Sequence, residues 1–285
     1  MNNLDHKKIS LLISQKLNET IEIISSERIG GGIHSDGYKL TTGDGQNFFL
    51  KEIKPFAAGL EFPERKVMSL LVSHGMYRRF PNLHPQSIGV IIDTKNEATI
   101  LPELTEQSKI YHLQEFESDS ESYWDIIHKR KDKNDIDRKD LEELEKIVGL
   151  LVNIHTIKHP STDTEQLKSV YNDGLRSVIT NPELLFVMLT DFPIDDPLLP
   201  LKKQGNFVGL MLELLHKFRD RFDRMTALHG DFSGFNVFIK NDGSAWTIDF
   251  SRTPWGDPGL DVGWFLFSVP PSLSRDWQRV LQKNG

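Results

Sequence analysis

Residues 4–17 carry apolar side chains at helical spacing and predict a short leading helix. The period then changes. Residues 21–29, 38–42 and 48–53 read as three strands, separated by the cluster Gly30-Gly31-Gly32 and by the turn Gly43-Asp44-Gly45. Residues 61–73 return to the helical period, with Gly75 placed as a C-cap. Two further strands, 90–92 and 98–101, flank a polar turn at 93–97. The first hundred or so residues therefore predict a mostly antiparallel sheet with one main helix.

Strand signals give way to helix signals at 103–107. Residues 122–129, 138–157 and 207–224 are the predicted helices, with apolar faces at 3.6 spacing. The charged or Pro-rich segments 129–139 and 191–200 read as loops or insertions, and no internal repeat is found. The expected division is an N-terminal nucleotide-binding lobe, 1–104, and a C-terminal mainly helical lobe, 105–285. A chain of 285 residues is near the size at which one core splits into two, so an α+β, bilobal architecture with a cleft is expected.

Composition changes this picture little. Hydrophobic residues at 38% and charged residues at 26% are an ordinary globular mix, which argues against disorder and fibres. A net charge of -7 argues against a nucleic-acid partner, whose backbone calls for clustered Lys and Arg. With no Cys, a metal must be held by oxygen or His. The first ten residues lack the apolar core of a signal peptide, and the longest apolar stretch, 262–271, is far shorter than the roughly 20 residues that span a bilayer. A cytoplasmic location with no membrane partner is expected.

Candidate chemistry concentrates in His229-Gly230-Asp231-Phe232-Ser233-Gly234-Phe235-Asn236, an H-G-D-x-x-x-x-N sequence. Downstream, two apolar runs, 237–240 and 245–248, are joined through Asn241-Asp242-Gly243-Ser244, a strong hairpin signal. With Asp242 and Gly243 as the two central turn residues, Asn236 would lie directly across from Asp249. Directly opposed residues share a face with Cβ atoms about 4.5–5.5 Å apart. An amide oxygen and a carboxylate so placed can share one hard cation such as Mg²⁺. Asp231, a short loop earlier, could accept a hydrogen bond from an attacking hydroxyl and orient it toward a γ-phosphate. Gly230 would let the backbone bend tightly beside it. His229 reads equally as a hydrogen-bonded core residue or as a catalytic one. Asp242 and Asp257 read as turn residues.

In the N-terminal half, Lys51 interrupts an apolar strand and needs an anion, for which a nucleotide phosphate is suitable. The segment Gly30–Gly37, including Gly31, Gly32 and Ser35, lies between strands where its backbone N–H groups could fold over phosphates. It matches neither a Walker A nor a Rossmann sequence.

His229 to Asn236, followed by Ile248-Asp249-Phe250, resembles the aminoglycoside phosphotransferase and choline kinase-like family, which has a protein-kinase-like fold. The resemblance implies Asp231 as the catalytic, hydroxyl-orienting residue and Asn236 and Asp249 as magnesium ligands. It implies that Lys51 binds the α- and β-phosphates of ATP and pairs with a helix carboxylate, best matched by Glu64, with Glu61 as the alternative. Residues 102–105 resemble the hinge that holds adenine through backbone groups, which makes Glu103 and Leu104 candidates. The stretch Trp255 to Val262 is similar to the family's segment after the metal-binding Asp, and Asp261 would brace the catalytic loop.

The implied activity is transfer of a phosphate from ATP to a hydroxyl of an aminoglycoside, amino alcohol or sugar-like metabolite. A protein kinase is the less favoured alternative, because Gly230 and Ser233 depart from its pattern and no A-P-E follows Asp249. A catalytically silent nucleotide-binding scaffold is the third. Family members usually continue into further helices after the position of Asp261, so this chain is expected to be either a compact variant or part of a longer protein.

Overall fold

The computed structural model describes residues 5–31, 35–54, 62–79, 85–93, 109–130, 137–179, 193–250 and 252–269. The chain divides into two compact units, 1–118 and 119–285. The first opens with α1 (His6–Leu17), whose N-cap Asp5 accepts from Lys8 N–H. Strands β1 (Ile23–Gly31), β2 (Ser35–Thr42) and β3 (Asn47–Ile53) follow, then α2 (Pro63–Arg79), β4 (Ser87–Asp93) and β5 (Lys109–Glu115). They form one sheet in the order β1-β2-β3-β5-β4, antiparallel at every pairing.

One core joins Leu40, Phe48, Leu50, Tyr111 and Leu113 of the sheet to Ile9 and Ile13 of α1. A second packs Ile53 and Ile110 against Leu70 of α2. The sheet is thus covered by helices on both faces. That explains β5, which lies beyond the expected boundary at 104 and was not expected as a strand. It runs between β3 and β4 with five consecutive buried residues, so it has no in–out alternation to read. The expected strand at 98–101 lies outside the described residues.

Gly75 does not cap α2, which continues to Arg79. Met76 and Tyr77 are fully buried in the turn after it, and their packing outweighs the roughly 1 kcal/mol that an interior glycine costs.

The second unit contains β6 (Ser120–Ser122), α3 (Tyr123–Lys129), α4 (Arg138–His155), α5 (Thr164–Ile179) and α6 (Leu201–Phe218). A 3₁₀ turn, Phe222–Arg224, then leads into β7 (Thr226–Ala227), β8 (Val237–Lys240), β9 (Ala245–Thr247), β10 (Trp255–Gly256) and α7 (Gly259–Ser268). Two small sheets form, β6-β8-β9 and β10-β7. The helix expected over 207–224 is thus an earlier helix and a separate turn. The best-formed helix start is that of α4, where Asp137 and Asp140 make a reciprocal capping box. Buried Leu144, Ile147, Val148, Leu151 and Ile154 give α4 one apolar face, which lies on β7 and β9. Helix α5, not expected from sequence, buries Tyr171, Gly174, Leu175 and Val178 against β10. A Cβ at Gly174 would collide with the Trp255 carbonyl oxygen, so only glycine allows that approach. Among the described residues no helix is long and apolar enough to cross a membrane.

Candidate active site

The hairpin β8–β9 pairs Val237 with Thr247, Phe238 with Trp246 and Ile239 with Ala245. This is one residue out of the expected register. Gly243 N–H donates to Lys240 O at 2.8 Å and Lys240 N–H to Ser244 O at 2.9 Å, so the loop is 241–243, three residues long. Gly243 has φ 81°, the left-handed residue that closes such a loop. Asp242 does serve the turn, its Oδ1 accepting from the N–H and the hydroxyl of Ser244. Asn236 therefore faces Ile248, whose N–H donates to its carbonyl at 3.0 Å. Asp249 comes after the ladder at φ 59°. The expected face-to-face pairing of Asn236 and Asp249 is corrected accordingly: the direction of Asp249 is set by a left-handed backbone, not by strand alternation.

The loop before the hairpin is held from several sides. Asp261, fully buried in the first turn of α7, accepts Gly230 N–H on Oδ1 at 2.8 Å. Its Oδ2 accepts His229 N–H at 2.8 Å and lies 3.0 Å from His155 Nε2 at the end of α4. Gly230 has φ 85°, the tight bend expected beside Asp231. His229 is a buried linking residue. Its Nδ1 accepts from Asp231 N–H at 3.2 Å, so Nε2 carries the proton and donates to Ile248 O at 2.8 Å. Burial lowers its pKa and keeps it neutral. Thr247 donates its hydroxyl to Asn236 O at 2.7 Å, tying β9 to the start of β8. The far end is pinned by Gly234, which donates to Ser268 Oγ at 2.7 Å and accepts Trp124 N–H at 2.9 Å.

Asp231 sits on this frame with its carboxyl raised by burial. Arg252 opposes that shift, the Asp249 charge adds to it, and a hydrogen bond from Asn236 opposes it again. The Asn236 amide also donates to Asp231 O at 2.9 Å, and Arg252 Nη2 lies 3.9 Å from Asp231 Oδ1. The structure thus brings Asp231, Asn236 and Asp249 together, and adds Arg252. Among the described residues no group of three or more His, Asp or Glu side chains could hold a metal by itself.

In the first unit Lys51 is half-buried in β3 and pairs with Gly37 of β2 and His112 of β5. A Cβ at Gly37 would come 2.8 Å from the Phe49 ring. Gly31 pairs with Asp36 as the last pair of β1–β2, and Ser35 pairs with Ile53, so both border the glycine-rich segment. Arg28 braces its base through a 2.6 Å bond to Asp36. Glu64 is exposed in the first turn of α2, and among the described residues no ion pair joins it to Lys51. Gly32, Glu103 and Leu104, like the alternative Glu61, lie outside the described residues.

Residues 25–283 match the APH family, described as phosphotransferase enzymes. The chain belongs to the phosphotransferase enzyme family. No curated protein sequence matches it. Solved structures agree on a protein-kinase-like fold at low identity. A protein of Haemophilus somnus 129PT assigned as a fructosamine-3-kinase aligns at 12% identity and TM-score 0.54, over 95% of this chain and 81% of that one. The streptomycin–ATP–APH(2")-IIa ternary complex aligns at 16% and TM-score 0.52, over 99% and 83%.

Within this phosphotransferase, sequence reasoning missed Arg252, His155, Thr247 and Ser268. His155 had a signal, following buried Leu151 and Ile154 on the apolar face of α4. Arg252 had only its place three residues after Asp249. Buried Lys66 on α2 was also missed; desolvation lowers its pKa.

Proposed function

We propose that this phosphotransferase moves the γ-phosphoryl group of ATP to a hydroxyl of a small molecule, with Asp231 as the residue that receives the hydroxyl. The observation carrying this reading is Asp231 itself. It is a carboxylate lifted by burial, on a loop fixed by Asp261, with Asn236 bonded to it and the Asp249 charge felt at it. Burial moves such a group toward the pKa useful to a proton acceptor near neutral pH. The acceptor oxygen bonds to phosphorus, the bond from phosphorus to the β,γ-bridging oxygen breaks, and the hydroxyl proton passes to Asp231. The bridging electron pair leaves with ADP. Little else is demanded of the protein than position and charge.

The Asn236 and Asp249 side chains fit a hard divalent ion that takes its remaining ligands from phosphate and water. Asn236 commits its NH₂ end to Asp231 O, which leaves its amide oxygen to ligate. Magnesium bound there would supply charge neutralisation of the phosphates. Lys51, Gly31, Gly32 and Ser35 are assigned to the nucleotide phosphates, Glu64 to Lys51, and Glu103 and Leu104 to adenine. That APH(2")-IIa forms a ternary complex with streptomycin and ATP supports ATP and a small-molecule partner here.

The test is a screen of small hydroxyl compounds for ATP-dependent phosphorylation. Asp231→Asn should lower turnover by about 100-fold or more while nucleotide binding stays, and Lys51→Ala should weaken nucleotide binding. Nucleotide binding without turnover on any acceptor would favour the scaffold instead.

A further inference from the structure

Phe235 is a large apolar side chain on the loop that joins Asp231 to Asn236, and it is 52% exposed. Ser233 O accepts Asn236 N–H at 2.9 Å, so Gly234 and Phe235 are the two central residues of a tight turn. Bonds on either side fix that turn: Gly234 to Ser268 and Trp124, and the Asn236 side chain to Asp231 O. The Phe235 ring stacks on Trp124 of α3, with 4.0 Å between centroids and 24° between planes. His128, one helical turn further on, lies 3.9 Å from Trp124 at 33°. Phe235 and His128 share no ring contact among the described residues, so the indole lies between them. His128 is held in its turn by Nδ1, which donates to Trp124 O at 2.8 Å. Buried Tyr123, Ile126 and Ile127 seat α3 from behind, with Tyr123 stacked on Phe265. The result is a fixed stack of three rings whose open end is the flat, apolar face of Phe235. Such a face takes another flat ring in an offset stack, and because the stack is already ordered, little freedom is lost on binding. It suits a cation less well: indole is the best ring for one, but both faces of Trp124 are covered.

We propose that Phe235, backed by Trp124 and His128, is the platform on which the acceptor lays a ring, so that hydroxyl compounds carrying a flat apolar ring are preferred to open-chain polyols and amino alcohols. This rests on the phosphotransfer reading and deepens it. The nucleotide base is the competing occupant. The acceptor is favoured because Phe235 shares its loop with Asp231, which receives the hydroxyl, whereas the groups assigned to the nucleotide, Lys51 first, belong to the other unit.

Saturation-transfer NMR titrations of the full chain with phenyl β-D-glucopyranoside, a hydroxyl compound that carries rings, and with open-chain sorbitol test it. Wild type should bind the glucoside, and sorbitol more weakly by about fivefold or more. Phe235→Ala should weaken the glucoside by about fivefold or more, and Phe235→Tyr, which keeps the flat ring, should stay within about twofold of wild type. Phe235→Leu keeps apolar bulk without the flat face and should resemble Phe235→Ala; it decides the matter should Phe235→Ala not fold. ADP with Mg²⁺, followed by calorimetry, should bind wild type and variants within about twofold of one another. Glucoside binding that is absent from wild type, matched by sorbitol, or unchanged in Phe235→Ala or Phe235→Leu would overturn the platform and leave the phosphotransfer reading standing. A loss of ADP affinity in Phe235→Ala with the glucoside unaffected would give the ring to the nucleotide and overturn it as well. Wild type that binds no nucleotide would sink the phosphotransfer reading and the acceptor role together.

Discussion

Asn236 and Ile248 are the last bonded pair of the β8–β9 hairpin, and Asp249 turns away from the ladder immediately after them. That placement depends on a three-residue loop closed by Gly243 at φ 81°. An L residue there meets its own carbonyl, at a cost of about 1–2 kcal/mol. Gly243→Ala should therefore lower unfolding free energy by about 1 kcal/mol in urea titration without changing the slope. No contact of a Cβ blocks the site, so a much larger loss would contradict the backbone account.

The hairpin also marks how far the sequence could be read. Asp-Gly correctly announced a tight turn, and Asn241-Asp242-Gly243 suits either a two- or a three-residue loop. A two-residue loop and the observed three-residue loop differ by one position at every pairing. Asp231, Asn236 and Asp249 still come together, because the positive φ of Asp249 lies outside anything alternation can predict. The first three strands and α1 were legible from period and turn residues. Strand β5 was not, because a strand buried on both faces loses its period, as His112 and Gln114 inside it illustrate. Helix α5 had a readable stripe at 171, 174, 175 and 178. Arg252 was illegible, since its meaning is geometric.

The proposed use of Asn236 and Asp249 as ion ligands predicts a metal requirement shared by both. Chelation with EDTA should abolish transfer and added Mg²⁺ restore it. Asp249→Asn removes the only charge of the pair, so the Mg²⁺ concentration for half-maximal activity should rise by about tenfold or more. Asn236→Asp, which keeps an oxygen ligand, should shift it less. Activity that ignores EDTA would remove the ion from the reading.

Two histidines make stability depend on pH near neutrality. Burial lowers the pKa of His229, and burial with the Arg78 and Lys16 charges lowers that of His74, both from an ordinary 6.5. In the unfolded chain they protonate at the ordinary value while the folded chain still resists. The unfolded state then binds more protons, so stability is complete above 6.5 and declines as pH falls from there toward the folded values. Asp231 and Glu52, raised mainly by burial, contribute with the opposite sign. The clean measurement is therefore differential: His74→Gln should reduce the decline in unfolding free energy between about pH 7.5 and 6. An identical decline in the variant would exclude His74 as a source.

Asp261 gives the sharpest separation of position from chemistry. It touches no reacting atom in the proposed mechanism, yet its two oxygens take the N–H groups of His229 and Gly230 and face His155 Nε2. Asp261→Ala would strand two buried backbone donors at about 1–3 kcal/mol each. It should lower the melting temperature strongly and reduce turnover. Asp261→Asn keeps one acceptor and can serve one of the two amides, so the stability loss should be about half as large. Because Asp231 rides on the Gly230 bend, turnover should fall in both variants more than nucleotide affinity does. Nucleotide affinity depends on the other unit's Lys51 in our assignment. Calorimetry with ADP beside steady-state kinetics on Asp261→Asn checks this. A variant that loses ADP binding and turnover in equal proportion would mean that Asp261 supports the whole unit and not the loop.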